Sequence, residues 1–173
     1  MEQMNFTCCF TGHRDIPPSD VPRLISLLKS TCLYLISLGV KEFHCGGATG
    51  FDMLASAAIY DIARENKNIK LILDLPFEKY NAKWQNEQKK KFEFLLSFAS
   101  QVNYISDKAP TDYHSAVSMY YKRNRHLIDS SYYCVCYLSK AEKSGTSYTV
   151  DYAKLHKRHI INLTEEMTID INS

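Results

Sequence analysis

Short apolar runs alternate, one for one, with longer segments in which apolar residues recur every three or four positions. This alternation constrains the fold more than any other feature. Consecutive strands joined through helices have room to lie parallel, and the amphipathic helices must bury their apolar stripes on the sheet. FTCCFTG, VKEFHC, IKLILDLP (closed by Pro76), QVNYIS, YYCVCYL and HIINL read as strands, the fully apolar YYCVCYL as a central one. Residues 20–38 carry a helical stripe through Leu24, Leu28, Leu35 and Leu38. A second stripe, Phe51, Leu54, Ala55, Ala58, Ile59 and Ile62, follows VKEFHC. Trp84, Gln88, Phe92, Leu95, Leu96 and Ala99 mark a third helix. Tyr113, Val117, Tyr120, Asn124 and Leu127 mark a fourth, and residues 147–156 a fifth. The expected class is α/β: an open, mostly parallel sheet of five to six strands with helices on both faces, in a single domain over residues 1–173.

Composition narrows the partners. A formal net charge of +2 gives no strong pull toward nucleic acid or anionic lipid, so neither is an expected partner. The longest apolar run, LYLISLGV, is too short to span a bilayer, and MEQMNFTCCF carries Glu2 where a signal peptide carries basic residues. The expected location is the cytoplasm. Of the six cysteines, Cys8, Cys9, Cys134 and Cys136 lie in strand-like runs, where Cys134 and Cys136 share a face. No second pair has zinc-ligand spacing, so these cysteines read as small buried hydrophobes and no metal centre is expected. No linker, repeat or charge block interrupts the chain, and a homo-oligomer stays open.

In open parallel sheets ligands bind outside the carboxyl ends of the strands. The loops that leave the strands there are TGHRD, CGGATGFD, DLPFEKYN, SDKAPTDYH and SKAEKSGTS. In the first, Thr11 offers a hydroxyl, Gly12 close backbone approach, His13 a titratable ring and Arg14 a fork for phosphate. In the second, Gly46, Gly47 and Gly50 precede a helix whose first N–H groups lack intrahelical partners. This is neither the dinucleotide fingerprint nor a P-loop. Asp52, in the first turn, either complements the helix dipole or accepts sugar hydroxyls. In the last loop, Ser144, Gly145 and Thr146 converge on another helix start, as an N-cap or as an anion site.

Four motifs, FTGHR, CGGATGFDMLA, YKRNRHLIDSS and SGTSYTVDYA, in this order resemble the SLOG superfamily, and within it the bacterial DUF1273 (YpsA-like) branch. The resemblance covers Phe6 to about Leu163. It implies a Rossmann-like sheet and a pocket for a nucleotide or an ADP-ribose-like ligand. It also implies kinship with phosphoribohydrolases and with the DNA-processing protein of transformation. Its branch is associated with division and stress phenotypes, which implies a sensor or regulator. Arg123-Asn124 falls where the hydrolases have an Arg-Lys pair and Gly145-Thr146 matches their Gly-Thr, but Thr149 stands where they have glutamate. A threonine cannot supply the carboxylate for glycosidic cleavage, so the resemblance implies binding with little hydrolysis. Thr149 is expected to face the ligand, and Asp52 is the substitute candidate for an acid. The expected ligand contacts are Thr11, Gly12, His13, Arg14, Gly46, Gly47, Gly50, Asp52, Arg123, Ser144, Gly145 and Thr146. An N-glycosidase and a nucleic-acid-binding module are the alternatives.

Overall fold

The computed structural model describes residues 6–139 and 142–165. Six strands, β1 (Thr7–Gly12), β2 (Glu42–Cys45), β3 (Lys70–Leu75), β4 (Gln101–Tyr104), β5 (Tyr133–Tyr137) and β6 (His159–Asn162), are linked by α1 (Val21–Ser37), α2 (Phe51–Glu65), α3 (Asn86–Phe98), α4 (Tyr113–Asp129) and α5 (Gly145–Leu155). The strands form one sheet in the order β4-β3-β2-β1-β5-β6, and every pairing is parallel. This is the expected Rossmann-like α/β fold. The apolar β5 lies inside the sheet, second from an edge, while β1 takes the centre between β2 and β5. The edge strands β4 and β6 are the least buried, as their mixed compositions require.

Strand order fixes the helix layers. The chain steps from β1 through β2 and β3 to β4, then returns to the far side of β1 through α4. Right-handed crossovers therefore put α1, α2 and α3 on one face and α4 and α5 on the other. The packing of α1 on α2, α2 on α3 and α4 on α5 agrees. Along β1 the pleat sends Cys8 and Phe10 into the large apolar cluster under α1–α3, and Cys9 into a smaller one. That smaller cluster holds Cys134, Cys136, Leu127, Ile128, Val150 and Ala153.

All six cysteines are buried and free, as small hydrophobes. Burial pushes the Cys32 and Cys136 thiols up to about 12, far from reactivity at neutral pH. Among the described residues no group of three or more His, Cys, Asp and Glu is arranged to hold a metal, and no helix is long and apolar enough to cross a membrane.

Local boundaries differ from the sequence reading at two helix starts. α3 begins at Asn86, and Trp84 sits in the preceding turn with its ring 5.2 Å from Tyr80 and 5.4 Å from Phe92. α5 begins at Gly145, because Ser144 takes the cap.

Candidate functional site

The strand order reverses between β1 and β5, and a cleft of about 390 Å³ opens above their carboxyl ends. Its near wall is Thr11, Gly12, His13 and Arg14, leaving β1. Its far wall is the start of α5, Ser144, Gly145 and Thr146. One side of α4 closes it with Tyr113, Val117, Tyr120, Tyr121 and Asn124, and Ala48, Asp52 and Arg123 lie deeper.

The start of α5 leaves backbone donors open. Ser144 and Ser147 form a reciprocal capping box: Ser147 N–H donates to Ser144 Oγ at 3.1 Å, and Ser144 N–H to Ser147 Oγ at 2.8 Å. The next amide, Tyr148 N–H, already bonds the Ser144 carbonyl. Among the described residues nothing takes the N–H groups of Gly145 and Thr146, which lie on the cleft. A Cβ on Gly145 would come no closer than 4.0 Å to another residue, that being Asn124 Nδ2.

The start of α2 is different. Phe51 N–H donates to the His13 carbonyl at 3.1 Å, and Asp52 Oδ2 accepts from Ala48 N–H at 3.0 Å. The glycines before it do not line the cleft; they are internal joints. A Cβ on Gly46 would collide with the Arg123 guanidinium, and one on Gly50 with the Arg14 backbone. Gly47 has φ 66° and faces Leu75, Phe92 and Tyr80, whose hydroxyl donates to its carbonyl. Gly12 is needed because α2 starts against it: a Cβ there would lie within 2.5 Å of Phe51 Cβ.

Two buried charges meet at depth. Arg123 is 5% exposed; its Nη1 donates to the Gly46 carbonyl and its Nε to Asn124 Oδ1 at 2.9 Å. Asp52 is 6% exposed. Burial pushes its carboxyl above the ordinary range, against the opposing pull of Arg123, the Ala48 N–H and Arg14. His13 packs edge-on to Tyr137, and its Nε2 accepts from Ser139 N–H at 3.3 Å, which leaves the ring proton on Nδ1. The exposed Arg14 holds its guanidinium 5.9 Å from the Tyr120 ring centroid.

Thr149 departs from expectation. It is 1% exposed, donates to the Gly145 carbonyl at 2.7 Å and is not on the cleft wall. The back-bond to the residue four earlier turns it into its own helix. Of the rim acids, Asp52 alone reaches the cleft among the described residues; Asp112 caps α4 and Asp74 lies under it. The α4 stripe was legible as periodicity but not as a wall. Tyr113 and Val117 line the cleft instead of the core, and Tyr113 is 78% exposed.

Beyond this geometry, residues 17–170 match YpsA, the YspA SLOG family. The chain belongs to that family. The YpsA relatives include a UPF0398 protein of Bacillus cereus (strain G9842), 22% identical over 116 residues, covering 67% of this chain and 61% of that protein. Another, from Halalkalibacterium halodurans, is 26% identical over 122 residues, covering 70% and 62%. The chain thus spans about three fifths of the length of these relatives. Among solved structures, DNA processing protein A from Helicobacter pylori, described with a single-stranded DNA binding mode, shares the fold. Its TM-score is 0.62 at 18% identity, over 91% of this chain and 64% of that one. The X-ray structure of TM1055 gives a TM-score of 0.55 at 15% identity, over 89% and 71%. At these identities both likenesses show the fold, and neither supports the expectation against nucleic acid.

Proposed function

We propose that the cleft binds a nucleoside phosphate, of which an ADP-ribose-like molecule is one form, and that the protein acts as a sensor or regulator in a bacterium. One observation carries the reading: two N–H groups at the start of α5 that are unpartnered among the described residues, the guanidinium groups of Arg14 and Arg123, and the deep carboxyl of Asp52 converge on one cleft beside an aromatic helix face. Phosphate would take the α5 end, where N–H groups and the helix dipole favour an anion, with Arg14 supplying charge from the facing wall. Asp52 repels phosphate, so it would take the ribose, accepting hydroxyls with the oxygen not bound to Ala48. The base would lie along α4 on Tyr120 and Tyr121.

The same arrangement supports binding without turnover. Cleaving a glycosidic bond needs a carboxylate at the sugar, and among the described residues Asp52 is the single candidate on this wall. It also carries the Ala48 N–H and, with its raised proton affinity, is poorly suited to stay charged against a developing cation.

Titration calorimetry with AMP and ADP-ribose, with chromatography of the mixture for free adenine, tests this reading. Saturable binding without adenine release is expected. Rapid release abolished by Asp52→Asn would make the protein an N-glycosidase. Failure of both nucleotides, with tight and steeply salt-dependent binding of a single-stranded oligonucleotide, would move the function to nucleic acid.

A further inference from the structure

Under α4 the sheet presents a buried carboxylate that the nucleotide cleft does not use. Asp74 on β3 is 0% exposed. Its Oδ2 lies 2.7 Å from His44 Nδ1 on β2, and its Oδ1 accepts from Asn103 Nδ2 on β4 at 2.8 Å. These partners come from the sheet. A third comes from the helix above: His126 Nε2 lies 3.5 Å from Asp74 Oδ1, with the ring 38% exposed.

This contact matters because little of α4 is fully buried. Three of its 17 residues are buried, Arg123, Leu127 and Ile128, and one of those is a cation. Arg123 and His126 are three residues apart, hence neighbours on one side of the helix. Arg123 reaches forward to the Gly46 carbonyl and His126 down to Asp74. The helix that forms the aromatic wall is therefore held from below in part by two polar contacts, one of them made by a histidine.

We propose that His126 is a positioning residue: as a cation it clamps α4 to Asp74 and so keeps Arg123 and the aromatic wall in the binding geometry. Ligand affinity then weakens as His126 loses its proton. The groups around this contact are His44 and Asn103 from the sheet, Asp129 from α4 and Ser130 at its C-terminal cap. The Asp74 contact pushes His126 above its ordinary value, partial burial opposes, and the charges of Asp74 and Asp129 add to the rise. The same surroundings hold the Asp74 carboxyl well below the usual range. For a base raised on folding, the stabilisation is complete below the unfolded value and is lost as pH rises through the folded one.

The binding part of this proposal rests on the nucleotide reading; the clamp does not, so two measurements separate them. The first is amide hydrogen exchange over residues 113–129 between pH 6 and 8.5, in the whole chain and in His126→Gln, which keeps a donor but cannot carry charge. Corrected for intrinsic rates, α4 in the unaltered protein should open more easily toward high pH, by about fivefold, the usual gap between charged and neutral hydrogen bonds. His126→Gln should show no such step. The second is the affinity for AMP of both proteins over the same range, taken as a ratio so that the phosphate's own ionisation cancels. The ratio should change about fivefold in parallel with exchange, and His126→Lys should hold tight binding at high pH. Superposable exchange profiles would overturn the clamp. A pH step in exchange with a flat affinity ratio would overturn the link to the ligand while leaving the nucleotide reading standing. A step in exchange with no AMP binding at any pH would uphold the clamp and overturn the nucleotide reading.

Discussion

At the scale of single residues, Arg14 and Asp52 make opposite demands on the protein. Arg14 is exposed, so replacing it should cost affinity and little stability. A charged hydrogen bond is worth roughly 1.5–3 kcal/mol, so Arg14→Ala should weaken AMP binding about 10- to 150-fold with an unchanged melting temperature. Calorimetry and a thermal melt on one sample check both parts. Asp52 is buried with its proton affinity raised, chiefly by desolvation. For an acid raised on folding, the folded state holds the proton more tightly than the unfolded chain does. Its contribution is therefore most favourable at low pH and declines as pH climbs through the folded value. Ionising this buried carboxylate is a cost retained for function. Asp52→Asn keeps an acceptor for the Ala48 N–H, so it should melt at or above the unaltered protein at pH 7. That gap should close toward pH 4, while AMP affinity falls. A lower melting point at pH 7 than the unaltered protein would show that Asp52 is held for stability.

At the scale of elements, the two helix starts at the rim look alike in sequence and differ in use. Glycines precede α2 and begin α5, yet the first N–H of α2 is spent on His13 while Gly145 and Thr146 keep theirs. Replacing Gly145 isolates one donor. Ser144 is extended, with φ −148° and ψ 170°, which suits the residue before proline, and proline fits the first helical position. Gly145→Pro should thus keep α5 and remove one N–H, weakening AMP about tenfold or more, whereas Gly145→Ala keeps the donor and should change affinity little. Equal affinities for the two variants would move the phosphate away from α5. Gly46→Ala should act through Arg123, which its Cβ would displace, lowering melting temperature and affinity together. The difference between these glycines was not legible in the sequence. It depends on which remote residue comes to each one, Arg123 to Gly46 from 77 positions away, and local pattern carries no record of such meetings.

At the scale of the whole molecule, the strands and helices were legible because each burial demand is local. Period-two and period-3.6 patterns record which faces must leave water. Strand order was not, since many orders satisfy the same local patterns. With the order β4-β3-β2-β1-β5-β6 in hand, the reversal beside β1 gathers Thr11 to Arg14, Asp52, Arg123 and Ser144 to Thr146 around one cleft. Tyr113 shows the limit from the other side: its spacing marks a helix, and only the topology puts it at the rim. The central claim is that nucleotide binds in this cleft, and an amide-resolved NMR titration of the whole chain with AMP tests it most directly. The account predicts that Gly145 and Thr146 shift first and furthest, together with Gly12 to Arg14 and the α4 residues from Tyr113 to Asn124. Shifts centred elsewhere, as between α1 and α2 around Leu33 and Arg64, or none at saturating AMP, would contradict it.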